Sequence, residues 1–207
     1  MTTTNPSRLG VALIPEPLLL DRLIAFQHDH QDVLGLPKLG RKFCVPHLTL
    51  YQGNLFESDL DEWKLRILLG ASNRSELASR LWSLSHQPAD WLFVNCDVPA
   101  AVCTLQHRVI RLVSPLSRPD RGTTEDTTGF TPDEQESQWQ YGYRYVGPAF
   151  RPHFTIGTRS DPHLPEELRR AFESTLLDAP VHFNQLTFYR CGERGSLASV
   201  IASTPIP

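Results

Sequence analysis

The stretch that decides the fold reads Phe150-Arg151-Pro152-His153-Phe154-Thr155-Ile156-Gly157-Thr158-Arg159 (FRPHFTIGTR), and its central pentapeptide has a counterpart far upstream, Pro46-His47-Leu48-Thr49-Leu50. Both follow the pattern Pro-His-apolar-Thr-apolar. Side chains on a strand alternate between its two faces. His47 and Thr49 are therefore predicted to share one face, with Leu48 and Leu50 on the other. His153 and Thr155 do the same opposite Phe154 and Ile156. Each strand thus has an apolar face for a core and a polar face left for chemistry. With eight histidines in the chain, two chance copies of His-apolar-Thr-apolar arise about 0.3% of the time. A proline before both makes coincidence rarer still.

Outward from these strands, residues 9–14 (LGVALI) read as a short buried strand ended by Pro15. Residues 17–34 repeat Leu19, Leu20, Leu23, Ile24 and Phe26 at near-helical spacing, between Pro17 as a start and Gly35 as a stop. Helices are predicted over 58–69, 75–85 and 100–112, and a strand over 91–95 (WLFVN). Residues 114–140, rich in Ser, Thr, Asp, Glu, Pro and Gly, read as a mobile surface loop. A strand over 150–157 and a helix over 165–177 follow, the latter with Glu166 and Glu167 suited to its dipole. Strands over 181–189 and 197–203 close the chain around a Gly-containing hairpin at 192–195. In each half a helix separates the first strand from a strand that opens Pro-His. The expectation is one α+β domain over 1–207, bilobal and pseudo-symmetric, with lobes near 1–90 and 91–207. Antiparallel sheets would form a central cleft, with helices outside.

Composition narrows the function. The 207 residues are 40% apolar and 21% charged, with 20 Lys+Arg against 23 Asp+Glu and a net charge of −3. That balance argues against coating duplex nucleic acid, which needs many cationic phosphate contacts. A pocket for one nucleotide or an RNA terminus remains compatible with it. Cys44, Cys96, Cys103 and Cys191 form no C-x-x-C pair, which disfavours a zinc knuckle or redox site and suits free thiols in a reducing cytoplasm. The polar start and the absence of a long apolar run predict a cytoplasmic monomer without a signal peptide or membrane span.

Paired imidazoles suit phosphodiester chemistry. One activates water and the other protonates the departing oxygen, since both titrate near neutral pH. Thr49 and Thr155 would donate to the non-bridging oxygens where charge accumulates. No cofactor is called for, and no convincing metal-ligand cluster stands out. His28 and His30 are two apart on a predicted helix and do not face each other. Ser83, Ser85 and Ser196 lack a nucleophile-elbow context. There is no phosphate-binding glycine loop of the Walker or dinucleotide type.

The pair His47-x-Thr49 and His153-x-Thr155 resembles the signature of the 2H phosphoesterase superfamily, and FRPHFTIGTR is similar to the second motif of its bacterial RNA 2',3'-cyclic phosphodiesterase (2'-5' RNA ligase) group. The resemblance implies a bilobal α+β fold with a histidine pair at the floor of a cleft. It also implies hydrolysis of cyclic or linear phosphodiesters of nucleotides or RNA, with His47 and His153 catalytic and Thr49 and Thr155 binding phosphate. The residues leave open which histidine is the acid. Strand alternation adds Tyr51, for stacking on a base, and Arg151, for attracting phosphate; Arg159, Tyr143 and Tyr145 rank behind them. The expected function is metal-independent hydrolysis of a 2',3'-cyclic phosphate. The rivals are a 2'-5' phosphodiesterase or RNA ligase, and a non-catalytic module for RNA ends. A binding module has no need of two proton shuttles, which weighs against the last.

Overall fold

A computed structural model describes residues 7–70, 72–97, 99–117 and 127–207. In chain order the described elements are β1 (Ser7–Pro15), α1 (Pro17–Asp29), α2 (Gln31–Leu34), β2 (Leu48–Leu55), α3 (Glu62–Leu69), α4 (Arg74–Leu77), β3 (Ser79–His86) and β4 (Trp91–Cys96). They continue with α5 (Ala100–Val113), α6 (Pro132–Tyr141), β5 (His153–Thr158), α7 (Glu166–Thr175), β6 (Pro180–Val181), β7 (Phe183–Cys191) and β8 (Leu197–Pro205).

The strands form one antiparallel sheet in the order β6-β3-β4-β5-β2-β1-β7-β8. The two motif strands, β5 and β2, meet at its centre through a single registered pair, Leu48 with Phe154. These are the residues between His and Thr in each motif. Antiparallel continuation of that register sets His47 across from Thr155 and Thr49 across from His153. A local two-fold relation therefore runs through the seam.

The expected alternation holds around it. Leu48, Leu50, Phe154 and Ile156 are buried in the main core. On that side α5 packs on β2, α1 on β5, and α3 on β7 and β8. The buried stripe of α5 is Val102, Leu105, Val109 and Val113, the spacing of one helical face. Each fully buried aliphatic side chain contributes roughly 1.5–3 kcal/mol. Among the described residues no helix is long and apolar enough to cross a membrane, and all four cysteines are free.

Several expectations need correction. The strand order does not divide the chain near residue 90: β2, β1, β7 and β8 make one half of the sheet and β6, β3, β4 and β5 the other. Residues 75–85 are mostly strand β3, not helix. Leu77, Leu81 and Leu84 fit a helical stripe, but β4 requires a partner along its outer edge, and pairing overrides local spacing. The helix over 17–34 breaks at His30 into α1 and α2. The 114–140 stretch contains α6, which starts with a capping box from Thr131 to Glu134, has Pro132 in its first turn, and stops at the left-handed Gly142. Residues 118–126 of that stretch lie outside the described residues.

Candidate active site

The polar face of the central strands floors a cavity of about 530 Å³ lined by His47, Thr49, His153 and Thr155 together. All four motif residues thus converge, although His47 sits one residue ahead of β2 rather than within it.

Both imidazoles are held the same way. His47 Nδ1 lies 2.7 Å from the Val45 carbonyl, and His153 Nδ1 lies 2.6 Å from the Arg151 carbonyl. A carbonyl only accepts, so each Nδ1 carries the hydrogen and each neutral ring keeps its lone pair on Nε2. The carbonyl belongs in both cases to the residue before the proline, Pro46 or Pro152. Proline fixes its own φ and confines its predecessor to extended conformations, so that carbonyl is aimed before folding ends. The proline common to both motifs acquires a role by this geometry: it sets the tautomer of the next residue.

Beyond that bond the surroundings differ. His153 is only 6% exposed. Its ring stacks on Phe93 at 3.6 Å and 15°, and meets the edge of Tyr145 at 5.1 Å. Burial pushes its pKa down to about 3, against the pull of the Arg151 carbonyl and with the charges of His47, Arg144 and Arg151 acting in the same direction as burial. His47 packs edge-on against Tyr189 at 5.0 Å. Its pKa is also lowered by burial, opposed by the Val45 carbonyl.

The phenols are neutral donors. Burial pushes Tyr143 up to about 12 and raises Tyr145 and Tyr189 as well. The Thr49 hydroxyl lies 3.5 Å from that of Tyr189, which accepts from Gln52 Nε2 at 2.8 Å. The Tyr189 ring lies over Gly10; a Cβ there would come within 2.4 Å of it. The glycine in LGVALI is what lets Tyr189 reach Thr49.

Two sequence candidates fall elsewhere. Tyr51 is fully buried in the main core and donates to the Tyr141 carbonyl at 3.4 Å. The pairing of β1 with β2 shifts between Val11 and Ala12, so that Ala12 faces Thr49 while Val11 faces Tyr51. This bulge inserts one residue, and alternation reverses beyond it. Gln52 takes the cavity position that unbroken alternation assigned to Tyr51. Arg151 is exposed and donates to Gln87 Oε1 at 2.5 Å, at a neighbouring hollow that it lines with Trp82 and Asn95. Its carbonyl holds the His153 ring, while its side chain lies outside the cavity lining. Arg159 is bound to Asp161 and the His163 carbonyl.

Tyr143 and Tyr145 do line the cavity, together with Phe93, Gln52 and Arg144, to which the sequence reading assigned no role. Their signal is faint because Tyr141, Tyr143 and Tyr145 recur at strand spacing while residues 142–146 form no strand, so alternation assigns them no face. Among the described residues no group of three His, Cys, Asp or Glu side chains is placed to hold a metal ion.

No known family model matches the chain, and no curated protein does. Solved structures match over nearly the whole chain. TT0787 of Thermus thermophilus is similar with a TM-score of 0.52 at 14% identity, covering 96% of this chain and 97% of that one. LigT of E. coli in its apo form is similar with a TM-score of 0.51 at 14% identity, covering 99% of this chain and 96% of that one. The shared property is the fold. The open antiparallel sheet with helices behind it is the fold that this chain shares with LigT and TT0787.

Proposed function

We propose that the chain is a phosphodiesterase that hydrolyses 2',3'-cyclic phosphates of nucleotides or RNA ends by acid-base catalysis between His47 and His153, without a metal. One observation carries this reading: two imidazoles, each locked with hydrogen on Nδ1, line a single cavity with two threonine hydroxyls. The free Nε2 atoms can take a proton from water on one side of a phosphate and return one to the leaving ribose oxygen on the other. Thr49 and Thr155 donate to the oxygens between them. Trp91, half-buried in the cavity lining, offers apolar surface for a base.

Burial, with Arg144 and Arg151 adding to it, keeps the His153 ring neutral, and this supports one assignment of the roles. His153 is then the base and His47 the acid. A bound phosphate, being negative, raises both pKa values and favours the protonated His47.

Incubation of the protein with 2',3'-cyclic nucleotides in EDTA tests the reading. The expected result is a nucleoside monophosphate formed at an undiminished rate. Loss of turnover in EDTA replaces the mechanism with a metal-dependent one. Tight binding of RNA ends without turnover makes the chain a binding module.

A further inference from the structure

Arg144 is 7% exposed, and among the described residues it forms no ion pair with any carboxylate. Burying a charge is costly unless it is paired. One edge of the guanidinium is used: Nη2 donates to the Pro88 carbonyl at 3.3 Å. Both faces are covered, by Phe130 at 4.5 Å and Tyr145 at 4.3 Å. These rings hold the plane but accept no conventional hydrogen bond. Nη1 is buried and has no partner. The nearby carboxylate of Glu134 is committed to the Thr131 amide at 2.8 Å in the capping box of α6. The adjacent residue repeats the pattern, since the Tyr145 hydroxyl is also buried without a partner. Two consecutive residues therefore present donors that lack acceptors. Both line the cavity of the histidine pair, and Tyr145 touches the His153 ring.

We infer that Arg144, clamped between Phe130 and Tyr145, is the cationic receptor for a phosphate oxygen of the substrate, with the Tyr145 hydroxyl as its neighbouring donor. The inference rests on the proposed phosphodiesterase reading for the identity of the substrate, but not for the anion itself. Neither His-x-Thr motif contains a permanent positive charge, and phosphoryl transfer gains most from one placed in advance. The two rings leave only the edge of the guanidinium available, which is the edge that hydrogen-bonds to phosphate. Beside the exposed Arg8 in its lining, the cavity thus receives a buried fixed cation from the segment between α6 and β5 rather than from the motifs.

The test uses inorganic phosphate as the probe, so that binding is read without turnover. Calorimetric titration of the full chain is expected to show phosphate binding that weakens about 10- to 100-fold in Arg144→Gln. Arg144→Lys should restore only part of it, because an ammonium lacks the planar fork. The thermal midpoint of Arg144→Gln in phosphate-free buffer should stay level or rise, since an unpaired buried charge is removed. Unchanged phosphate affinity in a folded Arg144→Gln protein overturns the inference, as does a lowered midpoint with unchanged affinity, which marks a structural arginine. Should both variants fail to fold, NMR of the wild-type guanidinium decides: its resonances must shift on adding phosphate, and constancy overturns the inference. Turnover of a cyclic nucleotide with no Arg144-dependent phosphate binding rejects this inference and keeps the phosphodiesterase. Arg144-dependent phosphate binding by a chain that never turns over does the reverse.

Discussion

The two motif arms begin from nearly the same pentapeptide and end in different surroundings. The His47 arm leans on Tyr189, which lies over Gly10 and is tied to Gln52. Its polar neighbours are hydroxyls and an amide. The His153 arm is enclosed by Phe93 and Tyr145, with Arg144 behind the second ring. Both arms fix the tautomer identically, through the carbonyl ahead of the proline. What differs is the field each ring feels. Local sequence thus sets which nitrogen is available, and the neighbouring strands set how readily it takes a proton. In the proposed reaction, two like motifs across a pseudo-two-fold seam serve as acid and base because the rest of the fold is not symmetric.

Replacing the histidines is expected to have the largest effect. His47→Ala and His153→Ala should each lower turnover of a 2',3'-cyclic nucleotide by about 10²–10⁴-fold. The comparison sharpens with a p-nitrophenyl phosphodiester, whose departing phenolate needs no protonation. On that substrate His47→Ala should recover much of its loss and His153→Ala should not. Equal recovery by both breaks the assignment of roles. Next come the hydroxyls, for which Thr49→Val and Thr155→Val should each cost about 10²-fold in kcat with a smaller change in KM. A pure KM effect would show that they bind the ground state alone.

Smaller again are the prolines. Pro46→Ala and Pro152→Ala loosen the preceding carbonyl without removing it, and should lower kcat about two- to fivefold. NMR of the imidazole nitrogens should then show a growing share of the Nε2–H tautomer, and an unchanged share in a slowed enzyme refutes the proposed proline role. A separate effect, read in stability rather than turnover, follows from pH. Burial holds the folded His153 at about 3, while an unfolded histidine titrates near 6.5. Between those values the unfolded chain takes up a proton that the folded chain refuses. Stability is therefore retained above about 6.5 and falls as the pH drops toward 3. His153→Gln should flatten part of that slope in denaturation measured across this range. His47→Gln should flatten less of it, and the reverse order would invert the comparison.

The motif residues were legible because they depend on short-range rules. Alternation within 46–50 and 152–156 places His and Thr on one face whatever surrounds them, and that is what the cavity shows. Tyr51 fails the same rule by one residue, since the bulge opposite Val11 and Ala12 lies in the pairing of two strands and leaves no mark in β2 alone. The α6 helix was legible in principle from Thr131, Pro132, Glu134 and Gly142, but its polar composition suggested a loop. Residues 75–85 carry a leucine spacing compatible with either structure, and only the need to pair with β4 decides it.

By itself the sequence determined the two polar-faced strands, the prolines that aim a carbonyl at each ring, and the helix stripes that bury the opposite face. These follow from backbone geometry within a few residues. Tertiary structure alone decided that the two strands meet at Leu48 and Phe154, that Gln52 rather than Tyr51 faces the cavity, and that Arg144 stands near His153. Strand register, a bulge and the placement of a buried charge are properties of contacts between distant segments, and no local pattern encodes them.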